Sequence, residues 1–366
     1  MFKGNHGEWS EPYALLRLLA DGCLFLGDMD YSQEVDNSYP ISCIIKKQMG
    51  GDVRYEFQSD QIACFFNGAV TYVPKSIFIE KADLLYTKIF AKDKGKATYT
   101  VREIEPFLKK IGITKLKAKS SQKNDIHIEV LDRKSITKHE LGFSIKSQLG
   151  SPSTLLNAGE TTNFTFKLIG PQLSISEVEN FNLFTKYEDK FKFLKDCGVS
   201  LKFEEIGNPV FRSNLKTVDS GFDQILAEIV LSYYSKKASS LAGDRNSSVS
   251  YLTSCLRESN PADYDLYINP DHYDIIVKRF LVEYALGMRA GEVWKRSNEA
   301  AGGLLVVNKK GQILCYHFYF QDSFEKYLFS KTKIETPSAP RHNFGYIFMD
   351  NGDLKINLNL QIRFIV

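Results

Sequence analysis

The chain has no Cys-x-x-Cys pair, and its six cysteines, Cys23, Cys43, Cys64, Cys197, Cys255 and Cys315, are scattered through apolar or mixed stretches. Neither a zinc site nor a disulfide framework is written here. No run of about 18 uninterrupted apolar residues occurs, and Met1 to Pro12 lacks the apolar stretch of a signal peptide. A reducing, cytoplasmic location with no membrane partner is expected, and the Asn-x-Ser/Thr matches at Asn163 and Asn246 then carry no glycosylation meaning. Gly-x-x-x-x-Gly-Lys-Ser/Thr, Gly-x-Gly-x-x-Gly and His-Glu-x-x-His are all missing, which argues against a motor, a dinucleotide enzyme or a zincin. Internal repeats and low-complexity tracts are missing too.

What is present describes a folded chain. At 366 residues and 43% hydrophobic it can build one elaborated domain or two ordinary ones. A net charge of only +3 announces no partner by itself. The distribution says more: between Lys81 and Gly150 sixteen lysines and arginines face eight acids. A polyanion suits that basic block.

Periodicity places the elements. A helix is expected from Ser10 to Ala20, with Ser10 as its cap and Pro12 in its first turn. Tyr39 to Val73 reads as a β-meander punctuated by Gly-Gly, Ser-Asp and Asn-Gly. Helices follow at Ala82–Phe90 and Val101–Ile111, then KLKAK, DIHIEVLD and ELGFSIKS read as three consecutive strands. SPSTLLNAGETTN reads as a loop too polar for the core, leading into the strand NFTFKLI. Later come helices at Gly221–Lys236 and His272–Met288, a hairpin turning at Asn308 to Gly311, and a last strand, NLNLQIRFIV.

The hairpin of residues 125–132 and 140–147 carries the chemistry. Its apolar residues are even on one strand (Ile126, Ile128, Val130) and odd on the other (Leu141, Phe143, Ile145), so even residues must pair with odd ones. The opposite face then collects Asp125, His127 and Glu129 with Gly142, Ser144 and Lys146. A register that sets Asp125 opposite Lys146, across strands about 4.8 Å apart, gives an acid and an ammonium one shared ligand. An acid opening one strand and x-Lys on the next is the skeleton of the PD-(D/E)XK nucleases, where a carboxylate holds Mg²⁺ against a phosphodiester and lysine positions or deprotonates water. A surface hairpin with an ordinary ion pair would use the same residue types. Asn124 stands where the motif prefers proline, and Ser144 where it expects a second acid, so another carboxylate is required. Glu140 lies roughly 20 Å from Lys146 along the strand and Glu129 about 13 Å from Asp125. Glu11, on the inward face of the first helix, is the better source, because a buried carboxylate needs a partner.

KGNHGEWSE, KSSQKNDI, LGFSIKSQLGSPSTLLNAGETTNF, ETPSAPRHNFGYI and LNLQIRF resemble, in order and across essentially the whole chain, the HpaII family of type II restriction endonucleases. The resemblance implies a prokaryotic, Mg²⁺-dependent enzyme that cleaves double-stranded DNA at a short palindrome, suggested as CCGG, with Asp125 and Lys146 on its nuclease motif. It also implies a cognate cytosine methyltransferase as genetic partner, and two-fold DNA symmetry suits either a homodimer or sequential nicking by a monomer.

The expected fold is α/β: a restriction-endonuclease-like core of mixed sheet flanked by helices, with a strand-rich N-terminal elaboration. Residues 1–170 would carry the nuclease motif and residues 171–366 complete the DNA-binding cleft, as a second unit or interwoven with the first. Asp125, Glu11, Ser144 and Lys146 are the catalytic set, Asp125 and Glu11 the metal ligands. Gln148, Asn157, Thr161, Asn163, Arg341, His342 and Lys119 are the DNA-binding candidates: amides and arginine suit base edges, hydroxyls and lysine suit phosphates. Capping and turn formation would equally explain the polar loop. A DNA-binding protein that has lost catalysis, motivated by Ser144, and a structure-specific nuclease are the competing readings.

Overall fold

Asn5 sets the first helix. Its side chain accepts the N–H of Glu8 while the Glu8 carboxylate accepts the N–H of Asn5, a reciprocal cap that satisfies two otherwise orphaned donors. Helix α1 therefore spans His6–Asp21 and closes on Gly22. It starts before Ser10, which is buried and not the cap, and Pro12 lies within the helix, not in its first turn. Glu11 thereby moves into the second turn, beyond the first-turn N–H groups that attract an acid.

The computed structural model describes residues 1–92, 98–116, 124–131, 138–239, 246–297, 299–317 and 319–365. After α1 come β1 (Cys23–Gly27), β2 (Gln33–Lys46), β3 (Val53–Gln58), β4 (Gln61–Phe66), β5 (Ala69–Pro74), α2 (Lys75–Phe90), α3 (Glu105–Lys110), β6 (Ile126–Leu131) and β7 (Lys138–Ser147). Then follow β8 (Thr154–Leu156), β9 (Asn163–Ile169), α4 (Ile175–Leu183), α5 (Tyr187–Asp196), β10 (Ser200–Ile206), α6 (Pro209–Val218), α7 (Phe222–Ser239), α8 (Val249–Ser259) and α9 (His272–Leu286). The chain ends with β11 (Gly303–Val307), β12 (Ile313–Tyr316), α10 (Gln321–Ser330), β13 (Thr332–Ile334), α11 (Ala339–His342), β14 (Ile347–Asp350), β15 (Asp353–Asn359) and β16 (Ile362–Phe364).

The fold is mixed α/β. Its main sheet has nine strands in the order β1-β12-β11-β7-β6-β2-β3-β4-β5, with β1/β12 and β11/β7 parallel and the other pairs antiparallel. The long strand β2 pairs with β1 through its first half and with β6 and β3 through its second. Because β1 and β2 pair, six strands, β1, β12, β11, β7, β6 and β2, close on themselves as a barrel. Alternation in single strands carries no signal for that closure, since it depends on which distant strands meet. Two smaller sheets, β10-β9-β15-β14 and β13-β16-β8, complete the β-structure.

Two apolar clusters flank the β11/β12 hairpin. Leu305, Val307, Ile313 and Cys315 face a core built from α1, α2 and the N-terminal strands, whereas Leu304, Val306, Leu314 and Tyr316 face the core of the C-terminal helices. One hairpin, buried on both sides, thus joins them.

Several expectations change. The helix expected over 101–111 contracts to α3. Lys115 and Leu116 of KLKAK are not strand, and the rest of that run lies outside the described residues. The polar loop after Gly150 is not wholly superficial: it contains β8, with Leu155, Leu156, Thr162 and Asn163 buried. The terminal run divides into β15 and β16, which belong to different sheets.

His317, just beyond β12, is buried, stacked on the rings of Tyr39 and Tyr319 and tilted against Phe143. Burial pulls its pKa down to about 4. An unfolded chain takes up the proton near pH 6.5, so the stability held by the neutral ring is complete above about pH 6.5 and is lost as pH falls toward 4. Replacing His317 by Asn should flatten this acid limb by up to about 1.4 kcal/mol per pH unit. Thermal unfolding of the two proteins from pH 7 to pH 4 measures it; parallel curves would contradict the assignment.

Candidate active site

Strands β6 and β7 pair with Ile126 opposite Phe143 and Ile128 opposite Leu141, the even-with-odd register that the apolar parity demands. The Asp125 N–H donates to the Phe143 carbonyl at 2.8 Å, which sets Asp125 level with Ser144. The expected pairing with Lys146 is therefore off by two residues, because parity fixes which residues share a face but is unchanged when one strand slides by two. Lys146 still shares a face with Ser144: Val306 and Leu304 of β11 stand beside them in turn.

The Asp125 carboxylate accepts the Ile145 N–H at 2.7 Å and the Ser144 hydroxyl at 3.3 Å. Burial raises its pKa, against the pull of the Lys146 cation, the Ile145 N–H, the Lys46 cation and the Ser144 hydroxyl. Burial lowers the pKa of Lys146, against the carboxylates of Asp125 and Glu11. Lys146, from β7, therefore lies in the field of both Asp125, at the start of β6, and Glu11, from α1.

Helix α1 delivers Glu11. The Ser10 hydroxyl donates to the Ser147 hydroxyl at 2.8 Å, pinning the helix to β7 one residue past Lys146. Gly150 lies against His6, whose Cβ would be 2.6 Å from any Cβ at position 150. Only glycine permits this approach. Glu11 is 8% exposed, and the ammonium of Lys46, at the end of β2 and 3% exposed, stands 4.0 Å from its Oε2. Lys46 was not among the sequence candidates. The signal was legible, since Lys46 has the parity of the fully buried Ile44 and so points inward.

Other acids on the hairpin are committed elsewhere. Glu140 pairs with His127 at 3.1 Å, and Glu129 accepts from the Ser42 hydroxyl and faces Arg54. Asn124, in the place of the motif's proline, donates to the Glu299 carbonyl at 2.9 Å and so ties the hairpin to the loop before β11. Gln148 is buried, donates its N–H to Val307 and lines a small cavity with Lys146, Tyr31 and Tyr327.

Three of the DNA-binding candidates, Asn163, Arg341 and His342, meet at a different feature. Asn163 is 5% exposed; its amide donates to the carbonyls of His342 at 3.0 Å and Asn343 at 3.2 Å, while its oxygen accepts from Asn359 at 2.6 Å. It clamps the main chain at the end of α11, where Arg341 is exposed and His342 half-buried. Asn157 is exposed and Thr161 half-buried on the segment leading to that clamp. Lys119 lies outside the described residues.

Among the described residues no three His, Cys, Asp or Glu side chains converge in a metal-binding group. Two carboxylates and a hydroxyl nevertheless suit a hard cation that keeps several waters and a substrate oxygen.

The sequence pattern of the HpaII restriction endonuclease family matches residues 5–364. The chain belongs to that family. It is 42% identical over its full 366 residues to the Type II restriction enzyme HpaII of Haemophilus parainfluenzae, covering 99% of that protein. No solved structure matches it. This HpaII-family chain is accordingly a type II restriction endonuclease, a hydrolase that cleaves double-stranded DNA at specific sites. No helix among the described residues is long and apolar enough to cross a membrane.

Replacing Asn163 by Ala should remove the amide that holds the His342 carbonyl and leave Asn343 only the 3.5 Å contact from Asn357, while Asn359 still donates to Gly159 and Thr162, at a cost of about 1 to 3 kcal/mol. Denaturant unfolding reads the loss, and an increase in proteolysis near residue 342 would locate it. Stability within about 0.5 kcal/mol of wild type would show that the clamp contributes nothing.

Proposed function

We propose that this restriction endonuclease hydrolyses phosphodiesters within CCGG in a Mg²⁺-dependent reaction, through a PD-(D/E)XK site formed by Asp125, Ser144, Lys146 and Glu11. The observation that carries the reading is that the Ser10–Ser147 hydrogen bond docks a helix more than a hundred residues away in sequence on β7 beside Lys146, with the buried Glu11 of that helix 4.0 Å from Lys46, a cation that also favours ionised Asp125. Glu11 supplies the carboxylate that the motif lacks at Ser144, so loss of that acid does not by itself imply lost catalysis.

Asp125 and Glu11 would hold Mg²⁺, which when bound supplies positive charge against the phosphorus oxygens. Ser144 and the Ile145 N–H fix the Asp125 carboxylate, leaving its other oxygen for that task. Lys146, whose charged form burial disfavours, positions the attacking water or takes its proton. In-line attack leaves 5′-phosphate and 3′-hydroxyl ends.

Recognition belongs to the other core. Arg341, exposed on the segment that Asn163 holds, would contact the O6 and N7 of guanine. His342 adjoins it in sequence, Asn157 and Thr161 on the segment leading to Asn163 would add polar contacts to the DNA, and Lys119 in the basic block serves the phosphates. Asn163 thereby acts through the main chain that it fixes. Gln148, two residues from Lys146, is placed beside the scissile step. The enzyme works in a prokaryotic cytoplasm next to a cognate cytosine methyltransferase, and reads its palindrome as a homodimer or by two successive nicks.

Plasmid digestion with mapped ends is the first test: discrete bands cut at CCGG are expected with Mg²⁺. A smear would mean a nonspecific nuclease, and an intact plasmid with a gel shift would mean a binding protein. Asp125→Ala and Lys146→Ala should each lower cleavage by about 100-fold or more while specific binding survives. Glu11→Gln should lower it strongly and Glu140→Gln little; the reverse order would discard the site.

For Arg341→Ala, specific binding should weaken by about 1 to 3 kcal/mol with random-sequence binding nearly unchanged. Equal losses on both DNAs would demote Arg341 to a phosphate contact.

A further inference from the structure

Lys46 is the buried cation for which neither the nuclease motif nor the proposed reaction has a use. It ends β2 at 3% exposure, stands 4.0 Å from Glu11 Oε2, donates to the Leu116 carbonyl at 3.4 Å, and lies near enough to Asp125 to favour its ionised form. The site therefore holds two carboxylates, Glu11 and Asp125, with two lysines, Lys46 and Lys146. As pairs of charges they cancel without any divalent ion. A buried ammonium with one main-chain hydrogen bond is costly unless a carboxylate answers it, and here that carboxylate is one of the two metal ligands.

We propose that Lys46 is a built-in counter-cation: it holds Glu11 in place while the site is empty of metal and competes electrostatically with the divalent ion for that carboxylate. The enzyme thereby folds with its carboxylates already assembled, and surrenders metal affinity in return. Lys146 cannot serve both ends, because its own chemistry requires it to face the scissile phosphate. The proposal rests on Glu11 and Asp125 being the metal ligands.

Its consequence is counter-intuitive for a lysine buried at an active site: removing it should improve binding of the metal. Titration with Mn²⁺ alone, without DNA, counting the free ion by its electron paramagnetic resonance signal, tests this on the full chain. Lys46→Met, which keeps the packing of the side-chain stem, should bind Mn²⁺ at least tenfold tighter than wild type, and its melting temperature should rise further on adding the ion. Lys46→Gln should do the same should the methionine variant fail to fold, and Lys46→Arg should bind as wild type. In a Glu11→Gln background the gain should vanish. Unchanged or weaker binding by Lys46→Met or Lys46→Gln, with Asp125→Asn still abolishing it, would overturn the role of Lys46 alone. Binding that survives in Asp125→Asn would remove the metal site itself, and this proposal with it.

Discussion

Two carboxylates and two ammonium groups share one site, Glu11 and Lys46 buried and Asp125 and Lys146 half-buried, and the opposite charges offset one another's loss of water. A pair of unit charges 4 Å apart is worth about 4 kcal/mol at an effective permittivity of 20, whereas deleting one partner of a buried pair costs about 3 to 5 kcal/mol. Glu11 and Lys46, 4.0 Å apart, sit in that regime, and Asp125 and Lys146 adjoin them. The cluster binds α1, β2, β6 and β7 at one point, so the order of the charges is also a constraint on the fold.

The surrounding architecture serves that constraint. Helix α1 can present Glu11 only because its reciprocal cap starts it at His6 and the Ser10–Ser147 hydrogen bond docks it on β7. Strand β7 in turn is held on both sides, by β6 antiparallel and by β11 parallel, so the backbone carrying Ser144 and Lys146 has no free edge. Because β11 and β12 are buried on both faces, β7, the strand of the proposed site, is braced against the core of the C-terminal helices.

How much of this was legible depended on the range of the interaction. The parity of Ile126, Ile128 and Val130 against Leu141, Phe143 and Ile145 correctly gave the pairing class, because alternation is a property of single strands. The offset of two residues was not legible, since a slide by two leaves the alternation unchanged. Helix α1 was placed but begun late: Asn5 and Glu8 carried the capping signal, and Ser10 was chosen in their place. The barrel closure depends on β1 meeting both β2 and β12, a contact across nearly the whole chain that no local pattern encodes. Lys46 was written plainly, as an inward lysine at the end of an apolar strand, and Asn163 read as a surface contact because a polar loop conceals that its amide is spent on the chain at 342 and 343.

The most direct test is anomalous diffraction from crystals of the protein with CCGG-containing DNA and Mn²⁺. The account predicts a metal peak about 2.0 to 2.3 Å from carboxylate oxygens of both Asp125 and Glu11, with Lys146 facing the phosphate between the bases to be separated. A peak held by other acids, such as Glu140 beside His127, with Glu11 still directed only at Lys46, would contradict it.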